Sequence, residues 1–402
     1  LITLPKYYIA KIDKKLLKWC NMNFDLKEEH VMLRDTAREF AQTEVAPSAI
    51  KRDIKGEFPA DIIKKLGELG FWGMMVPTEY GGAGLDTISY VLALIEISKV
   101  DASVGLIMSV NNSLVCFGLE KYGSDFIKEN YLAPLAKGEK LGAFALSEPE
   151  AGSDATCQKT TAEKDGDYYL INEIKNWITN GQSDDYVLLT VKIDKSKGHH
   201  GISTIIIEKG TPGFDYGNKE DKLGIRSSDT SSLTFGNCKV PVRNLVCEEG
   251  KGFNFSMDTL NGGRIGIAAQ AVGIAEASLE ASLKYSKERK AFGQRISDLQ
   301  AIQFKLAYMA IKVDAAKLLT LKAAAVKDAG KKYFKEAAIA KLYSSKVAVE
   351  CALEAIQIHG GYGYVREYQV ERYLRDAKIT EIYEGTSKIQ KIVISRAIID
   401  EK

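Results

Sequence analysis

The residues best suited to chemistry lie near the C-terminal end, in Arg372-Tyr373-Leu374-Arg375-Asp376-Ala377-Lys378-Ile379-Thr380-Glu381-Ile382-Tyr383-Glu384-Gly385-Thr386-Ser387. An amphipathic helical pattern runs to about Ile379, and a new one starts after Thr386 or Ser387 with Ile389, Ile392, Val393 and Ala397. Gly385-Thr386-Ser387 supplies a flexible residue and the hydroxyls that an N-cap uses. Glu384 is thereby placed in a short helix–helix connection beside Ile382 and Tyr383. A carboxylate among apolar groups has its pKa pushed upward, which suits it to removing a proton near neutral pH. The plainer alternative is an acidic charge in the first turn of a helix, favoured by the macrodipole.

Other stretches carry weaker signals. Val76-Pro77-Thr78-Glu79-Tyr80-Gly81-Gly82-Ala83-Gly84 is glycine-rich, yet no strand-to-helix G-x-G-x-x-G unit surrounds it, so it reads as a loop. With no such fingerprint in the chain, a dinucleotide has to be held by other means. Trp177 reads as a buried strand residue before an Asn180-Gly181 hairpin turn. Arg289 reads as an arginine at a helix C-terminus, and Gln357-Ile358-His359-Gly360-Gly361 as a helix closed by paired glycines. Six cysteines without C-x-x-C spacing and four histidines offer no metal site, and the thiols read as free.

The elements that must position these residues fall into blocks. A chain of 402 residues exceeds one core and implies two or three packed domains. A composition 45% hydrophobic and 27% charged, with net charge +2, points to a globular enzyme with no nucleic-acid or membrane partner. Residues 1–22 form an N-terminal extension, in which 1–21 read as a basic amphipathic stretch and not a targeting peptide. Residues 23–136 are mostly helical in period. Residues 137–251 hold short β-type runs (141–147, 168–171, 186–191, 202–207, 232–235) separated by Gly and Asp-Gly punctuation. Residues 252–402 are helical again, with long pieces near 263–290, 299–328 and 331–358 that fit a four-helix bundle.

The segment RDAKI-x-x-IYEGTS resembles the C-terminal signature of the acyl-CoA dehydrogenase family, and the likeness extends in order from about Asn23 to Ala397. It implies a mostly α, α+β fold: an N-terminal helical domain, a middle antiparallel β domain and a C-terminal four-helix bundle. It implies FAD as cofactor and Glu384 as catalytic base, removing the α-proton of a short-chain acyl-CoA while flavin N5 takes the β-hydride, to give a trans-2-enoyl-CoA. Electrons pass to electron-transferring flavoprotein.

Residue by residue, Phe144, Leu146 and Ser147 match the family's first flavin segment, and Ser153 faces the CoA part of the substrate. Trp177, Ile178 and Thr179 match the second flavin segment. Arg289, Phe292, Ile296, Leu299 and Gln300 match a segment that reaches the FAD pyrophosphate and adenosine of a neighbouring subunit. Gln357, Gly360 and Gly361 match a turn on the same side of FAD, and Thr386 completes the flavin site. Asn261 and Arg264 match the start of the long helix near the thioester and pantetheine, and Gly385 flanks the base. Isovaleryl and long-chain members place their catalytic Glu at the position of Gly263, which leaves Glu384 as the matched base. Glu150 and Glu173 stand where the family more often has Gly, the latter expected to change a hairpin turn; Lys388 carries no role.

Ser109–Ser113, Asp221–Arg226 and Arg264–Ala268 look most like short-chain (butyryl) and short/branched-chain members. The alternatives are a dehydrogenase of 2-methyl-branched short acyl-CoAs, with Asn261 as the hint, or a non-catalytic binding or assembly factor. A homotetramer, a dimer of dimers, is expected, in the bacterial cytoplasm or, in a eukaryote, the mitochondrial matrix.

Overall fold

The computed structural model describes residues 25–400, so the expected extension at 1–22 lies outside the described residues, apart from its place at the chain's start. Helix α1 (Glu28–Phe40) passes through a wide π-type turn at Ala41–Val45 into α2 (Ala46–Lys55), and α3 is Ala60–Glu68. Helix α4 (Thr87–Val100) starts where the Asp86 carboxylate accepts from Ser89 N at 2.8 Å. It is mostly apolar and almost wholly buried, with its buried Glu96 paired to Arg38.

Helix α5 (Ala102–Ser109) continues through a π-type turn at Val110–Cys116 into α6 (Phe117–Tyr122). The wider turn places two buried amides where their bonds are all needed. Asn112 accepts from Met74 N at 3.0 Å and donates to Phe71 O at 2.7 Å; Asn111 donates to Trp72 O at 3.0 Å and accepts from Gly142 N at 3.1 Å. The pair ties the helical domain to the first strand of the sheet.

That sheet has seven strands: β1 (Gly142–Ala145), β2 (Thr161–Asp165), β3 (Tyr168–Thr179), β4 (Tyr186–Lys192), β5 (Ile202–Glu208), β6 (Phe214–Tyr216) and β7 (Thr230–Pro241). Their order is β1-β4-β2-β3-β7-β6, with β5 on the other pairing side of β4. Pairing is mostly antiparallel, but β1 runs parallel to β4 because the β2–β3 hairpin intervenes between them. Two expectations change here. Asn180-Gly181 closes no hairpin, since β3 pairs with β2 and β7 and not with β4. Glu173 sits in no turn: it lies within β3 at a register shift, with φ 99. A bulge demands a left-handed residue there, which accounts for the glycine preference at this place.

The C-terminal part is α7 (Gly252–Glu288), a short hairpin of β8 (Lys290–Ala291) and β9 (Gln294–Arg295), α8 (Gln300–Asp328), α9 (Phe334–His359), α10 (Val370–Thr380) and α11 (Ser387–Ile399). α7 packs on α4, α8 and α9. It begins earlier than its periodicity suggests, because Asn261-Gly262-Gly263 interrupts the pattern without interrupting the helix. α10 fastens the parts together: Arg375 meets Asp53 at 2.6 and 3.0 Å and Leu223 O at 3.2 Å, Arg372 donates to Val100 O at 2.7 Å, and Asp376 accepts from Ile225 N at 2.6 Å. The connection after α10 is therefore fixed relative to all three layers.

Candidate active site

Glu384 occupies the connection between α10 and α11 in the left-handed conformation, φ 53, followed by Gly385 at φ 87. That backbone is costly for a side-chain-bearing residue and is held from several sides. Thr386 caps α11 by accepting from Ile389 N at 3.4 Å. Gln390 Nε2 donates to Glu384 O at 3.0 Å and Gly385 O at 2.8 Å, and Lys341 Nζ from α9 also donates to Gly385 O at 2.8 Å. With both carbonyls turned inward and bound, the carboxylate points the other way. Among the described residues, the Glu384 N–H donates to no backbone acceptor.

The Glu384 carboxylate lies against the backbone of α7. Its Oε2 is fully buried and has no hydrogen-bond partner among the described residues. Burial pushes the group up to about 7, against the pull of Arg264 and then Lys341. Arg264 is 5% exposed and is steadied by Asn261, whose Oδ1 accepts from Nη1 at 2.6 Å. A half-neutral carboxylate with a buried open oxygen can accept a proton from a weak acid placed beside it.

Two adjoining cavities share this carboxylate. The larger, about 580 Å³, is lined by Ser147, Ser153, Trp177, Thr179, Glu384, Gly385 and Thr386, with Leu223–Ile225 and Ile379 closing it. The smaller, about 210 Å³, adds Phe144, Leu146, Ile178 and Arg264, with Val110, Leu114 and Leu260 as apolar wall. The second register shift of β3, between Lys175 and Ile178, sets Trp177 at φ 63. Its indole is 62% exposed, so the expectation of a buried strand tryptophan is corrected: the bulge turns the ring out of the sheet. Asn261 lines neither cavity and acts through Arg264.

The remaining candidates gather elsewhere. Arg289, Ile296, Gly360 and Gly361 line a cavity of about 600 Å³, with the Arg289 guanidinium 5.6 Å from the Tyr362 ring centre. It shares no lining residue with the two cavities at Glu384. Leu299, Gln300 and Gln357 flank it without lining it, and Phe292 stands 91% exposed at the β8–β9 tip. Glu150 pairs with Lys159 at the surface, away from the cavity lining.

Sequence reasoning missed four supporting groups. Lys341 and Gln390 hold the Glu384 turn, and Tyr383 OH donates to Gln270 of α7. Lys175, wholly buried, donates to Leu146 O at 3.1 Å, Glu148 Oε1 at 2.8 Å, Gln158 Oε1 at 3.0 Å and Thr190 Oγ1 at 3.1 Å, and so fixes the 146–148 loop. Lysines within helical or strand patterns read as solvent-facing, so no local signal marks these two.

An exposed indole, three hydroxyls (Ser147, Thr179, Thr386) and an unpartnered carboxylate oxygen on one cavity suit a flat, polar-edged ring system carried on a longer tail. Fold and site together define a flavin-dependent oxidoreductase. The chain belongs to the acyl-CoA dehydrogenase family: the family's N-terminal domain matches residues 27–139, its middle domain 143–238 and its C-terminal domain 250–399. FAD is its cofactor. The chain is 49% identical over 383 residues to the mitochondrial short-chain specific acyl-CoA dehydrogenase of Rattus norvegicus, covering 95% of this chain and 93% of that protein. The solved butyryl-CoA dehydrogenase of Megasphaera elsdenii is 46% identical with TM-score 0.93, over 94% of this chain and 100% of that one. A chain from the structural work on the electron transferring flavoprotein of Acidaminococcus fermentans and flavin-based electron bifurcation is 49% identical with TM-score 0.94, over 94% and 100%.

Proposed function

We propose that this chain dehydrogenates short-chain acyl-CoA thioesters to trans-2-enoyl-CoA, with Glu384 as the base. The observation that carries the reading is the Glu384 carboxylate, buried and unpartnered at Oε2, on the same cavity as Trp177, Ser147, Thr179 and Thr386. These four residues hold the flavin ring in the larger cavity, and the acyl thioester lies in the smaller one. An α-proton beside a thioester is weakly acidic, so the carbonyl oxygen needs a donor already in place. The Glu384 N–H, unused within its turn, serves that purpose while the carboxylate of the same residue takes the proton. When bound, FAD supplies the acceptor for the hydride leaving Cβ. Arg264 keeps the base from lying protonated throughout the neutral range.

Several features support the finer reading. The acyl cavity of about 210 Å³ is small beside the roughly 300–1,000 Å³ usual for ligand pockets. Its walls are largely aliphatic and aromatic, and the rat and Megasphaera relatives are short-chain and butyryl enzymes by name. The separate cavity at Arg289 and Gly360-Gly361 suits a diphosphate and adenosine, and its distance in lining from Glu384 suits a cofactor shared between subunits of a homotetramer. Electron-transferring flavoprotein is the acceptor that the Acidaminococcus relative suggests.

Anaerobic flavin bleaching with butyryl-, 2-methylbutyryl-, isobutyryl-, isovaleryl- and octanoyl-CoA tests the reading. Fastest bleaching by butyryl-CoA supports it, and fastest bleaching by 2-methylbutyryl-CoA transfers it to the branched-chain alternative. Flavin-loaded protein that none of the five bleaches overturns it.

A further inference from the structure

Lys341 is the one lysine on the buried face of α9 behind the base. It has no exposed surface, and its ammonium reaches the Gly385 carbonyl at 2.8 Å. A fully buried lysine is rare and costly unless a specific interaction requires it. We propose that Lys341 is a positioning residue for Glu384: it anchors the turn that carries the base through the Gly385 carbonyl and sets a positive charge behind the base's carboxylate. The proposal rests on Glu384 being the base.

The surrounding groups show why this position matters. From α7, Arg264 faces both Glu384 and Lys341. From α4, the Tyr90 hydroxyl faces Glu384, and Tyr383 lies beside it on its own connection. Glu381 also favours the charge on Lys341. Burial drives Lys341 down to about 7, with Glu384 pulling the other way, and burial drives Glu384 up to about 7, with Arg264 and Lys341 pulling it down. Each of the two supports the ionised form of the other. Arg264 is on the lining of the acyl cavity, whereas Lys341 lines neither cavity, so its influence has to pass through the base and its turn.

The two contributions, anchor and charge, separate by substitution. Lys341→Met removes both; Lys341→Gln keeps a donor for Gly385 O and removes the charge; Lys341→Arg keeps the charge. Two readouts apply to the flavin-loaded enzyme. One is the pH dependence of single-turnover flavin reduction by butyryl-CoA. The other is an infrared titration of the protonated carboxyl band that Glu384→Gln abolishes, which needs no turnover.

The expected result is a Glu384 midpoint raised by about one pH unit in both Lys341→Met and Lys341→Gln, with recovery in Lys341→Arg. Reduction at pH 7 then falls about fivefold, approaching about tenfold below about pH 6, with KM little changed. If Lys341→Met does not fold, Lys341→Gln decides. An infrared midpoint equal to wild type in Lys341→Gln, with Glu384→Gln inactive, overturns the role of Lys341 and leaves the base reading intact. Full turnover by Glu384→Gln overturns both.

Discussion

A Cβ placed on Gly263 would stand 2.6 Å from Glu384 Oε2 and 3.0 Å from its Cδ. The α7 backbone is thus the floor on which the carboxylate rests, and the absent side chain at 263 defines where that carboxylate sits. Leu114 Cδ2, at 2.7 Å from the same point, blocks the alternative of moving the new group aside. Gly263→Ala is expected to displace the carboxylate and lower kcat by at least about tenfold, since misplacement of about 1 Å costs as much as 100-fold. Flavin content is expected to stay normal, because Ser147, Trp177 and Thr179, proposed to hold the flavin ring, lie on other elements. Stopped-flow reduction of the variant at wild-type rate would show that the Glu384–Gly263 contact does not set the geometry.

Glu384→Gln is expected to keep FAD and bind acyl-CoA, yet lose dehydrogenation by orders of magnitude, because the amide keeps the shape and has no basic oxygen. Equilibrium binding of butyryl-CoA and single-turnover reduction separate the two properties. Wild-type-like turnover would sink the assignment of the base.

The pH response has a definite sign. A base must be ionised, so kcat/KM rises with pH and levels above about 7, where burial sets Glu384. Stability responds in the opposite direction. The native state holds this proton more tightly than the unfolded chain, so the contribution of Glu384 is full below about 4.5 and is lost as pH climbs through about 7. The melting temperature of wild type relative to Glu384→Gln should therefore fall between about pH 5 and about pH 8. Titrating groups remote from Glu384 are common to both proteins and cancel, whereas Lys341 loses the pull of Glu384 in the variant. A difference that stays constant across this range would mean that the carboxyl titrates as an ordinary exposed glutamate.

Much of this site is legible because its signals are local. The Glu384 connection is written in neighbouring residues, two amphipathic runs and a Thr386 cap, and the structure has the same turn. The placement of Trp177 is not local: it depends on how β3 slips against β7, and nothing in Asn176-Trp177-Ile178 marks a slip. Lys341 hides for another reason. Ala337, Ala340, Lys341, Ser344 and Ala348 share a buried face, a pattern made of small and polar residues that hydrophobic periodicity does not register. The start of α7 escapes because Gly262-Gly263 mimics a break, when the absent side chain at Gly263 admits Glu384.

Lys175→Met tests the 146–148 loop, which carries two of the proposed flavin contacts. The substitution leaves the Glu148 carboxylate, 5% exposed, without its cation and frees the Leu146 carbonyl. Breaking a buried pair from one side costs about 3–5 kcal/mol. Lower thermal stability and a reduced flavin-to-protein absorbance ratio are expected together, because Leu146-Ser147 lines the cavity. Lys175→Met with full flavin occupancy would show that the loop keeps its shape without the lysine.

The last prediction concerns assembly. Phe304, Tyr308, Ile311 and Leu318 are 56, 65, 63 and 43% exposed, and their spacing along α8 puts them on one face. So large an apolar face on a monomer marks an interaction surface. A second copy is the occupant that fits the proposed shared cofactor site, since the Arg289 cavity and the Glu384 cavities share no lining residue. Phe304→Asp combined with Ile311→Asp is expected to give smaller species than wild type by sedimentation velocity. FAD should be lost with it, although the Glu384 cavity is unaltered. A sedimentation coefficient equal to that of wild type would exclude this face from an interface, and a monomer still loaded with FAD would refute the shared site.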